Sequence, residues 1–158
     1  MNPFFAFALV LVSFAGMEFI AWASHKYLMH GILWPMHRDH HQKNRDRFFE
    51  FNDLFFPVFA LPGILFIYLG YSSGFDTPWL WLGLGISLYG LAYLFVHDII
   101  IHQRVKILRN WDSIYVRAIR RAHKVHHKHL GKEDGENFGF LFVSPKYLEI
   151  VRTQKASN

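Results

Sequence analysis

Ten of the eleven histidines in this 158-residue chain fall into four short clusters. Two clusters read H-x-x-H-H: His37, His40 and His41, then His123, His126 and His127. Each follows a looser H-x-x-x-x-H pair, His25 with His30 and His97 with His102. On a helix, positions i, i+3 and i+4 lie within about 100° of arc, so each pentapeptide presents three imidazoles on one face. Neutral imidazole is a ligand for Fe, Zn, Cu and Ni. A structural zinc closes with four ligands and a catalytic zinc keeps about three. Ten histidines suit two metals of higher coordination, with roughly five nitrogens each. Iron fits that preference, leaves a position for oxygen and supports O₂ activation, so the chemistry in reach is oxidation of C–H bonds.

The two looser pairs are harder to place. On a regular helix, i and i+5 stand about 140° apart and ~7.5 Å along the axis. They converge only if the helix ends between them or the metals sit between helices. Histidines at a membrane surface can also act as pH sensors or lipid-head contacts, but neither role requires H-x-x-H-H twice. His129, outside the clusters, reads as a surface residue. Glu18, Asp39 and Asp98 are candidates to orient ligand imidazoles through N–H to carboxylate bonds. Packing within the bundle competes with that role for Glu18, and ordinary ion pairs compete with it for the two aspartates.

The elements that must position these residues are apolar and long. The chain is 52% hydrophobic, and it carries no Lys or Arg in 1–25 or 48–103. That banding is expected of a membrane protein and argues against nucleic acid as the partner of the +5 net charge. Without cysteine, disulfides, iron–sulfur clusters and thiolate-ligated haem are excluded, so any metal is held by nitrogen and oxygen. Spans are expected at about 4–24, 54–71 and 79–96. The first lacks a basic leader and a small-residue cleavage site, so it reads as a retained span rather than a signal peptide. Glu18 lies inside it, seven positions before His25, where a carboxylate is a candidate functional group.

Three crossings place 25–53 and 97–158 on the same side. All ten clustered histidines and all 17 basic residues therefore share one face, which the positive-inside rule makes cytoplasmic. A fourth span between His97 and His123 would break this, but Arg104, Lys106 and Arg109 end the apolar run. Gly31 and Pro35 separate the first two histidine clusters, and the stretch from His37 to about Arg47 is expected as a short surface helix. Trp34, Phe48, Phe49 and Phe51 read as interfacial aromatics. Asn52 or Asp53 is expected to cap the second span. Ser113 should start an amphipathic helix over 114–129. The aromatic stretch 137–147 should fold over the site, and the last ten residues should be poorly ordered. The fold class is thus an all-α polytopic membrane bundle in a single domain, residues 1–158.

With HKYLMH, HRDHH, HDIIIH and HKVHH in that order after membrane spans, the chain resembles the bacterial β-carotene 3-hydroxylases. These lie within the fatty acid hydroxylase and sterol desaturase superfamily of membrane di-iron proteins. The stretch Asn137-Phe138-Gly139-Phe140 also looks like that family. The resemblance implies that His25, His30, His37, His40, His41, His97, His102, His123, His126 and His127 hold two irons. It implies O₂-dependent hydroxylation of β-ionone rings at C3, from β-carotene through β-cryptoxanthin to zeaxanthin, in a bacterial inner membrane. Electrons would come from a reduced ferredoxin or similar donor, since the chain carries no nucleotide fingerprint. One alternative is a hydroxylase or ketolase of another membrane lipid: a fatty acyl chain, a sterol or another carotenoid. A non-enzyme alternative is a membrane metal-binding or transport protein. A transporter would place its ligands near the bilayer midplane, whereas here they stand at span ends.

Overall fold

The computed structural model describes residues 1–42, 49–133 and 135–157, and these are helical with no strand among them. Three helices are long and apolar enough to cross a membrane: Pro3–Ile32, Phe51–Ser72 and Pro78–Ile101. The first is α1 (Pro3–Ala23), continued by a π-wound segment, Ser24–Ile32, that kinks at Gly31. The second is a 3₁₀ turn (Phe51–Leu54) leading into α3 (Phe55–Ser72), with the short α2 (Trp34–His41) preceding it in the chain. The third is α4 (Pro78–Tyr93), continued by a second π-wound segment, Leu94–Ile101. After it come α5 (Ile114–His126) and α6 (Pro145–Ala156).

The spans outrun the apolar blocks. Sequence hydropathy ends the first and third at residues 24 and 96, before each histidine pair. The helices continue because their winding changes to π instead of stopping. Helix α4 packs against both α1 and α3. Small residues permit the close approach: a Cβ at Gly83 would lie 2.7 Å from the Ile67 backbone nitrogen, and one at Gly70 equally close to Leu80. Phe7, Val12, Leu61 and Ile64 point outward, as suits helices surrounded by lipid.

Both ends of the bundle are fixed by contacts. The Met1 amino group pairs with Asp76, so the N-terminus and the turn between α3 and α4 share one end. All the histidine clusters lie at the other. There Ser113 caps α5, accepting from Val116 N–H, as its position predicts. Arg120 on α5 donates to the carbonyls of Ile100, Leu108, Arg109 and Trp111, tying α5 to the segment that precedes it.

Two expectations are corrected. The second span is capped by a Glu50–Asp53 capping box, not by Asn52 or Asp53 alone. The C-terminal residues form α6, whose Tyr147 and Val151 pack against Ala118 and Ala122 of α5. A buried apolar stripe there outweighs terminal fraying. The surface helix expected from His37 is described only to His41; its remainder, with Phe48, lies outside the described residues.

Candidate metal centre

The π winding resolves the i, i+5 problem by a route that spacing on a regular helix does not offer. A π-helix bonds i to i+5, so the two histidines of each pair stand over one another. His102 N–H donates to the His97 carbonyl at 2.9 Å, and Leu33 N–H to Leu28 at 2.8 Å. The ring centroids are 5.1 Å apart for His25 and His30, and 4.5 Å apart for His97 and His102.

All ten clustered histidines converge, in two sets. One nitrogen from each of His25, His30, His37, His41 and His126 lies within 4.8 Å of the others, and the same holds for His40, His97, His102 and His123. His127 adjoins the second set, its Nε2 2.8 Å from His123 Nε2, while its ring also stacks on His41. His129 is exposed and outside both. The wiring is reciprocal. With the adjoining His127 counted in the second set, each set takes one i, i+5 pair from a span end, one i, i+4 pair from the pentapeptide that follows, and the middle histidine of the other pentapeptide.

The chemistry of the donor set fits cations. Nδ1 of His25, His30 and His126 donates to the backbone carbonyls of Phe138, Leu130 and Glu136 at 2.9, 3.0 and 3.1 Å. A carbonyl only accepts, so in a neutral ring each Nε2 is then a bare lone pair. Yet His30 Nε2 faces His126 Nε2 at 3.3 Å. Two lone pairs at that distance repel unless a positive centre lies between them. Protonation is disfavoured there: burial first, then the neighbouring imidazoles, pushes His37 down to about 3 and His126 to about 2. Burial likewise holds His40 and His123 well below the ordinary histidine range. His40 Nε2 is buried without a hydrogen-bond partner, as a nitrogen reserved for a metal would be.

The groups behind the imidazoles differ between the sets. His37 Nδ1 meets the Asn52 side-chain oxygen at 2.6 Å. His40 Nδ1 meets Glu50 at 2.9 Å, and His97 Nδ1 meets Asp98 at 3.0 Å. Arg104 ties the carboxylates together, at 2.8 Å from Glu50 and from Asp53 and 3.6 Å from Asp98. Sequence reasoning reached Asp98 but missed Glu50, Asn52 and Arg104. For Glu50 and Asn52 the signal was two polar residues alternating with phenylalanines just before the second apolar block. Asp39 accepts from Phe51 N–H. Glu18 accepts from Tyr89 O–H at 2.7 Å and from the backbone N–H groups of Phe140, Leu141 and Phe142.

That loop roofs the site. The Phe140 ring stacks on His25 at 5.1 Å, and Phe138 covers His25, His30 and His126. Below it lies an apolar cavity of about 370 Å³, bounded by α1, α3 and α4. His37 and His97, one from each set, stand at its inner end with Phe140 and Tyr93. At its outer end Ile64 and Leu91 line it and are also exposed on the lipid-facing surface.

Against known proteins, the fatty acid hydroxylase family profile matches residues 10–146. A "Beta-carotene hydroxylase" of Pantoea ananas is 44% identical over 137 residues, which cover 87% of this chain and 77% of that protein. Its namesake from Pseudescherichia vulneris is 39% identical, covering 93% of this chain and 82% of the relative. A "Beta-carotene 3-hydroxylase 2, chloroplastic" of Arabidopsis thaliana is 40% identical across 96% of this chain, which spans 49% of that longer protein. No solved structure gives a significant match.

Proposed function

The chain belongs to the fatty acid hydroxylase family, and we propose that it hydroxylates carotenoid β-ionone rings at C3, taking β-carotene to zeaxanthin through β-cryptoxanthin. The observation that carries this is the convergence of nine imidazoles into two sets, from each of which one histidine, His37 or His97, lines an apolar cavity. The names of its relatives indicate the substrate.

In this reading His25, His30, His37, His41 and His126 hold one iron, and His40, His97, His102, His123 and His127 hold the other. Bound irons would supply O₂ activation, by which one oxygen atom would enter a C–H bond and the other would leave as water, with two electrons and two protons from a donor. The protein's own contribution is placement and exclusion of water. The cavity takes the ring and the start of the polyene, with Phe55, Phe59 and Phe140 against the apolar faces. Entry between Ile64 and Leu91 lets a membrane-dissolved substrate reach the site without crossing water. Phe140, whose backbone N–H Glu18 accepts, and Phe138, whose carbonyl meets His25, close the aqueous side.

The histidine end of the bundle faces the cytoplasm of a bacterial inner membrane in this reading, because the basic residues gather there. The electron donor is a reduced ferredoxin or similar acidic protein, docking on the exposed Arg117, Arg121, Lys124 and Lys128 of and beyond α5. Expression in a β-carotene-accumulating host tests the assignment. Zeaxanthin and β-cryptoxanthin should appear only with the gene. Their absence, with an oxidised acyl chain, sterol or ketocarotenoid instead, would move the chain to another substrate of the family.

A further inference from the structure

The two histidine sets are alike in number but not in what stands behind them. In the first, Nδ1 of His25, His30 and His126 is backed by backbone carbonyls and that of His37 by an amide oxygen. His41 Nδ1 is buried with no partner. In the second, His40 and His97 are backed by carboxylates, Glu50 and Asp98. A carboxylate accepting the Nδ1 proton shifts electron density onto Nε2 and makes the imidazole a stronger donor to a cation. A carbonyl does so far less.

Net charge acts in the same direction. Among the described residues, Glu50, Asp53 and Asp98 gather around one guanidinium, Arg104, three carboxylates to one cation. Glu50 and Arg104 are largely enclosed, with side chains 6% and 11% exposed, so water screens them weakly. Beside the first set stands a cation instead: Lys26 Nζ lies 5.7 Å from the Phe138 ring that covers His25, His30 and His126. Ligand basicity and local field thus favour a divalent ion in the second set.

We propose that the two sites are unequal, and that the set His40, His97, His102, His123 and His127 binds the first and more tightly held metal ion. Glu50 and Asp98 act as positioning residues that strengthen its imidazoles, and Arg104 fixes both carboxylates in place. The inference rests on the two-metal reading above and adds an order of filling to it.

The test is a cobalt(II) titration of the metal-stripped, full-length protein in detergent, followed by calorimetry and by the absorption bands of the bound cobalt. Two events of different affinity are expected. Glu50→Gln and Asp98→Asn should each weaken the tighter event about 10–100-fold and shift its absorption bands, leaving the weaker event in place. A further variant works by gain and does not depend on damaging the fold. Asn52→Asp gives His37 a carboxylate partner, and should tighten the weaker event and narrow the gap. Two events of equal affinity, or a Glu50→Gln effect confined to the weaker one, would overturn the proposal while leaving the two-metal reading intact. Binding of fewer than two ions by the wild type would overturn that reading, and the proposal with it.

Discussion

His102 donates its backbone N–H to the carbonyl of His97, five residues earlier, at 2.9 Å. That bond marks a helix wound one residue wider than α, and it is why two imidazoles spaced i, i+5 share a face. Loss or gain of one residue between them should therefore have unequal effects. Deleting Ile99 leaves an i, i+4 pair, which ordinary α winding aligns. Inserting one alanine after Ile99 gives i, i+6, which neither winding aligns. The insertion should remove about one metal ion per chain and lower hydroxylation at least about tenfold, the range seen when metal sites are disturbed. The deletion should keep both ions. Elemental analysis of purified protein reads the difference, and equal losses in the two variants would contradict the winding argument.

The reciprocal wiring puts neighbouring histidines into different sets. His126 belongs with His25, His30, His37 and His41, whereas His123, three residues earlier on the same helix, belongs with His40, His97 and His102. Alanine at His126 and alanine at His123 should each abolish hydroxylation, but each should leave a different set able to bind. In a cobalt titration, His126→Ala should lose one of the two binding events and His123→Ala the other. Alanine at the exposed His129 should leave activity within about twofold, as substitutions away from such features do. If both site variants lost the same event, the assignment of histidines to sets would be wrong.

Much of this could be read from the chain, and for a physical reason. Hydropathy blocks, the one-sided Lys and Arg bands, and H-x-x-H-H on an α face are local patterns, so the three spans, their common histidine end and the ligand candidates follow from composition and period. The π winding did not follow, because no residue type specifies it; His25 and His97 stand just past apolar blocks that read as ordinary helix. Glu50, Asn52 and Arg104 were hidden for a different reason. Their roles depend on contacts such as that of Arg104 with Glu50, 54 positions apart, and no period links such positions. Glu18 was picked out by its place in an apolar span, but its partners, the Phe140 to Phe142 amides more than 120 residues away, exist only in the fold.

Those partners predict what Glu18 does. Its Oε1 accepts from three successive backbone N–H groups, and its Oε2 accepts from Tyr89 O–H. A glutamine has one acceptor oxygen and an NH₂ that faces donors. Glu18→Gln should strand at least one buried donor, at a cost of about 1–3 kcal/mol. The loop it holds carries the Phe138 carbonyl that orients His25 and the Phe140 ring stacked on it. Thermal unfolding in detergent should therefore show a lower midpoint for the variant, with loss of metal from the His25 set at lower chelator concentration than in the wild type. An unchanged midpoint would remove Glu18 from this role.

The cavity can be closed without touching the histidines. Gly90 lines it, and a Cβ at that position meets no atom within 4 Å. A large side chain there can enter the cavity instead of forcing α4 away from its neighbours, unlike one at Gly83, where backbone atoms of α3 stand in the way. A phenylalanine ring projecting from Gly90 would take up part of a space of about 370 Å³. Gly90→Phe should then retain the full complement of metal and an unfolding midpoint near that of the wild type. Turnover of β-carotene should fall about tenfold or more, because a displacement of about 1 Å at the reacting carbon already costs on the order of a hundredfold. Product quantification beside metal analysis separates the two effects. Undiminished zeaxanthin formation by a metal-replete Gly90→Phe protein would show that the substrate reaches His37 and His97 by another path.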